Sequence, residues 1–166
     1  MGAPREAWGA RSLGRSAVQL NFLILVLRVA VGGIFAAAGG LKIGHFDVLA
    51  SEIAGFEILP HAFIAPLALL LPFVEVLLGA YLILGLFTRI AAVFASLQMF
   101  VFSAAIASAV VRGLHASCGC FGPSDTSTTS WPEVARDAGL GLIAALVAWR
   151  APGALSLDRR MEHRHE

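Results

Sequence analysis

The chain has 166 residues, of which 58% are hydrophobic and only 14% are charged, and its mean hydropathy is +0.80. A soluble domain has about a quarter charged residues, so this chain has too few to cover a water-soluble core, and its apolar surface must face lipid. The 12 Lys and Arg nearly balance the 11 Asp and Glu. The resulting net charge of +1 excludes a broad basic face for nucleic acid.

Four apolar windows have the length of a membrane-spanning helix, which needs about 20 residues. They cover residues 18–41, 66–87, 90–111 and 131–149. Short links predict antiparallel packing, so we expect an all-α, polytopic membrane protein with a bundle of four transmembrane helices. The fourth window is the weakest because three ionisable residues occupy its first turns. Its start is well marked by a capping-box pattern, Ser130-Trp131-Pro132-Glu133.

The distribution of Lys and Arg predicts the orientation of these helices. Arginines are frequent in the basic tail of residues 1–17 and in the tail of residues 151–166, which we expect to be disordered. Both termini should therefore be cytoplasmic. The links of residues 42–65 and 112–130 should lie outside the cell membrane, in the periplasm or beyond. A cleaved signal peptide is the alternative for the first window, although its apolar pattern resumes after Arg28.

Small residues recur every four positions in the first window, at Gly32, Ala36 and Gly40. Such a face allows close approach of another helix in lipid. Packing within the bundle is the favoured interpretation, and a homodimer interface is the alternative.

Two cysteines stand in the third link, in the segment Cys118-Gly119-Cys120. The predicted external location favours a disulfide, and a ring this small should be strained, which favours exchange with a partner thiol. Three alternatives remain open: a static clamp of the loop, two unreactive thiols, or a metal site that adds His115. The metal alternative supplies only three ligands, whereas closed zinc sites use four.

Cations near these cysteines would favour the reactive thiolate. Arg112 and His115 are closest in sequence, and Lys42 ends the first window on the same predicted side. Lys42 could also form a cluster with Arg136 and Asp137 at the outer start of the fourth window. Snorkelling side chains in a solvated loop are the alternative.

Arg28 and Glu75 are ionisable residues within the first two windows. Counted from the cytoplasmic ends, they fall at similar depth, about 15 and 18 Å at 1.5 Å per residue. We expect them to pair, either as an internal salt bridge or as the polar floor of a site for a quinone-like carrier or a proton path. The segment of residues 46–58 has the spacing of an amphipathic stretch at the outer interface.

With these residues identified, the chain resembles the MauE branch of the DoxX-like integral membrane proteins. The resemblance covers about residues 25–149 and rests on several short pieces. These are Ala38-Gly39-Gly40-Leu41-Lys42, Glu75 with Gly79 and Gly85, Arg112-Gly113, Cys118-Gly119-Cys120-Phe121-Gly122, and Arg136. It implies a four-helix membrane bundle and a role in methylamine utilisation, with disulfide formation in, or maturation of, the exported small subunit of methylamine dehydrogenase. Asp137 departs from the polar amide usual in the family, and the substrate stays open.

The favoured mechanism is thiol–disulfide exchange between Cys118/Cys120 and an exported thiol-containing or thioredoxin-like protein. Electrons would pass to or from a quinone-like carrier in the membrane. The alternatives are a non-catalytic assembly factor with a structural disulfide and a small transporter or metal-handling protein.

Overall fold

The computed structural model describes residues 6–114, 116–117 and 128–151, with side chains from residue 19 onward. This part of the chain is helical, which confirms the predicted all-α class; its one extended pairing is an antiparallel bridge between Ser117 and Thr128. The helices are α1 (Glu6–Lys42), α2 (Phe46–Gly55), α3 (His61–Leu84), α4 (Thr88–Val111) and α5 (Trp131–Arg150).

Three helices in the described part of the chain are long and apolar enough to cross a membrane: Gln19–Lys42 of α1, α3 and α4. Their outer faces carry large exposed apolar side chains, such as Leu97 and Val101 of α4, each 57% exposed. Such faces are stable only against lipid, so the chain is a multi-pass membrane protein. The 20-residue α5 is not one of the three, and its crossing of the membrane stays a prediction.

The turn between α3 and α4 makes these two helices antiparallel. Gly85 ends α3 in the left-handed conformation, with φ of 70°. The backbone N–H groups of Gly85 and Leu86 both donate to the carbonyl of Tyr81, at 2.9 and 3.0 Å. Glycine adopts this conformation without a steric penalty, which explains why the helix ends there.

Helices α1 and α3 approach each other closely through glycines. A Cβ added to Gly79 would lie 2.6 Å from the carbonyl oxygen of Gly32, and one added to Gly39 would lie 2.5 Å from that of Pro72. The predicted small-residue face is thus used within the bundle. Gly39, and not the predicted Gly40, belongs to this face. An α-helix has 3.6 residues per turn, so the residue seven positions after Gly32 lies on the same face and the residue eight positions after it does not.

Helix α5 packs along α4 through two hydroxyl groups. Ser96 donates to the carbonyl of Gly141 at 2.9 Å, and Ser103 donates to that of Val134 at 3.0 Å. Hydrogen bonds of this kind join helices in lipid, where hydrophobic attraction between them is weak. The core between the helices contains Val31, Phe35, Leu78, Leu82, Ala91, Ala92, Ala95, Met99, Ala144, Val147 and Ala148.

Helix α5 begins at Trp131, as the capping-box pattern predicts, with Ser130 at the N-cap. The hydrogen bond differs from a capping box, because the Ser130 hydroxyl donates to the Glu133 carboxylate and does not accept from a backbone N–H of the first turn. The predicted amphipathic segment forms α2, which packs against α3. Leu49 is buried there, and the rings of Phe46 and Phe73 stack with centroids 6.2 Å apart.

Candidate functional site

A buried ion pair joins α1 to α3. The ammonium of Lys42 lies 2.9 Å from both carboxylate oxygens of Glu75, and the two side chains are only 3% and 2% exposed. Gln98 of α4 donates to Oε1 of the same carboxylate at 3.2 Å. Three helices therefore contribute to one hydrogen-bonded carboxylate, which lowers the cost of holding its charge away from water.

A second charged pair at the start of α5 faces the same space. Nε of Arg136 donates to Oδ1 of Asp137 at 2.9 Å, and Asp137 is 4% exposed. A small cavity of about 30 Å³ is lined by both of these residues and by Lys42 and Glu75. We call these four residues the charge cluster. Its two cations and two anions balance, which favours a stable arrangement inside a membrane protein.

The charge cluster joins predicted residues in a different combination from the expected one. The sequence predicts Arg28 as the partner of Glu75, whereas Lys42 holds that position. Glu75 packs against Gly39, eleven residues beyond Arg28, which is about 16 Å along α1. Arg28 is buried, with 2% exposure, at another level of the bundle. Lys42 reaches Glu75 because it lies one turn after Gly39, on the same face of α1.

The predicted association of Lys42 with Arg136 and Asp137 does appear in the structure, around the small cavity. Gln98 was missed, although a polar amide in a span that has no ionisable residue was a visible signal. In lipid such a side chain needs a hydrogen-bonding partner, and the carboxylate of Glu75 provides it.

The segment that leads into the cysteines is fastened to α2. Nη2 of Arg112 donates to the carbonyl of Phe56, and its Nε donates to that of Ser108. The Ser117 hydroxyl donates to the Glu52 carboxylate at 3.3 Å. We call Glu52, Phe56, Arg112 and Ser117 the loop anchor. It gives α2 a function that amphipathic spacing alone did not reveal, namely to hold this loop.

The far end of the cysteine segment returns to its beginning. Ser117 and Thr128 form an antiparallel bridge, and the N–H of Thr129 donates to the carbonyl of Ala116 at 2.9 Å. The Thr129 hydroxyl donates to the carbonyl of Leu114 at 2.6 Å. The described residues that flank the cysteine segment, Ser117 and Thr128, therefore meet at one place, beside α2.

Cys118, Cys120 and His115 lie outside the described residues, and so do residues 1–5 and 152–166 of the predicted tails, whereas residues 6–17 of the amino-terminal tail belong to α1. The predicted roles of the two cysteines and His115 stay predictions. In the part of the chain that is described, no group of three or more His, Cys, Asp or Glu side chains is arranged to hold a metal ion. That finding does not test the metal alternative, because its three proposed ligands, His115, Cys118 and Cys120, lie outside the described residues. The Arg112 guanidinium donates hydrogen bonds to the carbonyls of Phe56 and Ser108. Its effect on the cysteine thiols stays a prediction.

Comparisons with known proteins show one family over most of the chain. The family model of methylamine utilisation protein MauE matches residues 20–150. The chain is 31% identical to the Paracoccus denitrificans protein of that name over 134 residues, which is 80% of this chain and 72% of the relative. It is 36% identical to the Methylorubrum extorquens protein over 134 residues, 80% of this chain and 68% of the relative. No solved structure matches the chain.

Proposed function

The chain belongs to the MauE family of methylamine utilisation proteins, and from this premise we propose that it exchanges disulfides with exported proteins through Cys118 and Cys120. Maturation of an exported methylamine dehydrogenase subunit is one form of this activity. The exchange partner is an exported thiol-containing or thioredoxin-like protein.

The proposed topology has four crossings, with both termini in the cytoplasm and the cysteine segment outside the cell membrane. Support comes from the distribution of Lys and Arg and from the length of α5. On that side of the membrane, disulfides form and persist.

The observation that carries the proposal is the loop anchor together with the Ser117–Thr128 bridge. A Cys-x-Cys pair exchanges disulfides only if it is presented to a partner protein. Here the two ends of its segment meet on a helix that packs outside the α1–α3 and α4–α5 contacts. We propose that the cysteine segment is therefore presented to its partner from the edge of the bundle, beside α2.

The chemistry conserves atoms and electrons. A thiolate of the exported protein attacks one sulfur of the Cys118–Cys120 disulfide and forms a mixed disulfide, releasing the other cysteine as a thiolate. A second thiolate of the exported protein then resolves the mixed disulfide. The exported protein loses two electrons and two protons, and Cys118 and Cys120 gain them as two thiols. Arg112, in the loop anchor, favours the thiolate form by its positive charge.

The charge cluster holds the bundle together beneath this loop. Its four side chains come from α1, α3 and α5, so it fixes the relative positions of three helices. A rigid support of this kind limits the movement of the loop during exchange.

The experiment is alkylation in intact cells with a membrane-impermeant maleimide, before and after reduction. We expect both cysteines to react from outside, and only after reduction. The variants Cys118→Ser and Cys120→Ser, tested singly, should then trap a mixed disulfide with an exported protein, and the double variant is the matched control. The chain has only these two cysteines, so the variants leave no other thiol.

Three results would contradict the proposal. Labelling from the cytoplasmic side alone would overturn the topology. A second contradicting result is a Cys118–Cys120 disulfide in the wild-type protein while the single variants trap no mixed disulfide and still leave the exported thiols oxidised. That result would indicate the static clamp of a non-catalytic assembly factor. Bound metal that is lost in His115→Ala would indicate a metal-handling protein.

A further inference from the structure

An apolar pocket of about 210 Å³ lies between α2, α3 and α4. Its walls come from the three helices, for example Ile53 of α2, Leu71 of α3 and Ala105 of α4, and from Phe56 at the C-cap of α2. A cavity of about 150 Å³ in a protein core binds benzene, so this pocket has room for a larger, substituted six-membered ring. Its occupant must be mostly apolar.

The pocket opens toward the lipid. Three of its lining residues, Ile58, Leu59 and Val101, are 48%, 40% and 57% exposed on the apolar outer surface. A ligand can therefore enter sideways from the membrane without crossing water. This entry favours a molecule that is dissolved in the bilayer.

Two polar side chains line the pocket, Lys42 and Glu52. Lys42 also lines the small cavity of the charge cluster, so this residue borders both spaces. An ammonium has three N–H donors, and the described contacts direct two of them to Glu75. The third donor suits a carbonyl oxygen of a neutral ligand in the apolar pocket.

Glu52 connects the pocket to the cysteines. Its carboxylate accepts the hydrogen bond of Ser117 at 3.3 Å, and Cys118 is the next residue in the chain. Consecutive Cα atoms are about 3.8 Å apart. Ser117, the last described residue before the cysteines, therefore lies at the rim of an apolar pocket that is open to lipid.

We propose that this pocket binds the ring of a membrane quinone, which accepts the electrons of the reduced Cys118/Cys120 pair. This inference rests on the exchange function proposed above, because it identifies the acceptor that regenerates the disulfide. Two S–H bonds break and one S–S bond forms, while two electrons and two protons convert the two ring carbonyls to hydroxyls. Lys42 positions the ring by donating to one carbonyl.

Binding is tested in the full chain in lipid nanodiscs, with decylubiquinone as the probe. The test uses the Cys118→Ser/Cys120→Ser protein, so that binding is measured apart from thiol chemistry. Ala105→Phe places a ring in the pocket. Its matched control is Ala104→Phe, the neighbouring residue on the exposed face of α4.

We expect saturable binding that Ala105→Phe weakens about tenfold or more, since filling a packed space excludes the ligand, and that Ala104→Phe leaves unchanged. Equal affinity for decylubiquinone in both variants, or binding that never saturates, would contradict the proposal that the pocket binds a quinone ring. A photoreactive azidoquinone gives a second measurement that does not depend on the folding of a variant. It should label α2 and the carboxyl-terminal half of α4, in competition with decylubiquinone, whereas labelling spread over all lipid-facing helices would contradict the site.

Reduction of decylubiquinone by the pre-reduced wild-type protein separates this inference from the proposed function. Saturable binding with quinol formation supports both. Saturable binding without quinol formation supports the pocket and contradicts electron transfer from the cysteine pair to the quinone, while the mixed-disulfide experiment separately decides the exchange function. Quinol formation that is equally fast in Ala105→Phe contradicts the pocket and supports the thiol chemistry.

Discussion

Lys42 at the end of α1 and Glu75 within α3 form a buried ion pair in which the ammonium lies 2.9 Å from both carboxylate oxygens. Lys42 of this pair lines both the small cavity of the charge cluster and the apolar pocket. It joins the first crossing to the second, and the Gln98 amide extends it to the third. The pair is therefore the structural connection between the charge cluster and the apolar pocket.

The first prediction concerns this pair. Glu75→Leu leaves the Lys42 ammonium buried without its carboxylate, and we expect a loss of about 3–5 kcal/mol in the free energy of unfolding. The double variant Lys42→Met/Glu75→Leu removes both charges and should recover most of that loss. The free energy of unfolding of both variants is measured by titration with SDS in mixed micelles, with circular dichroism as the readout of helix content. A single variant as stable as the wild-type protein would show that the pair does not hold the helices together.

The second prediction concerns the approach of α1 and α3. Gly79→Ala places a Cβ 2.6 Å from the Gly32 carbonyl oxygen, so the helices must separate, and we expect a loss of about 1–3 kcal/mol in stability. Gly33→Ala is the matched control, because nothing lies within 4 Å of its added Cβ. The control should be neutral or slightly stabilising, since alanine favours helix.

The control variant Gly33→Ala also tests the alternative of a homodimer interface on α1. Gly33 lies on the first helix beside the packed face, and the described chain leaves its added Cβ in open space. If α1 forms a dimer interface through that side, Gly33→Ala should lower the dimer fraction measured by crosslinking. We expect no change.

The third prediction concerns the loop anchor. Ser117→Ala removes the hydroxyl that donates to Glu52 and should raise hydrogen exchange at the amide of Thr129 about fivefold, since one such bond contributes about 1 kcal/mol. Ser51→Ala is the matched control, because the Ser51 hydroxyl donates within α2 to the carbonyl of Val48. Equal exchange in the two variants would show that Glu52 does not restrain the loop.

The fourth prediction concerns the number of crossings. If α5 crosses the membrane, a reporter fused after residue 166 should lie on the cytoplasmic side, together with one fused before residue 1. With three crossings the two reporters would lie on opposite sides. Paired fusions to alkaline phosphatase and to green fluorescent protein distinguish the outcomes, since each is active on only one side.

Depth counting placed Arg28 and Glu75 at one level because it assumed that helices in a bundle end together. In the structure the last turn of α3 lies beside Gly32, so α1 continues well past that end of α3, which is the end from which the depths were counted. Glu75 therefore faces Gly39 and the nearby Lys42. The offset between helices depends on glycine contacts between distant segments, and no local pattern contains that information.

By itself, the sequence determined the helical class, the apolar spans and the starts of α4 and α5 to within two residues, because hydrophobicity and helix capping act over a few neighbouring residues. It also identified the cysteine pair as the reactive candidate. Tertiary structure alone decided that Lys42 is the partner of Glu75, that α2 anchors the loop and that an apolar pocket lies under it. Those features depend on how far each helix slides along its neighbour, which is set by close packing across the whole bundle.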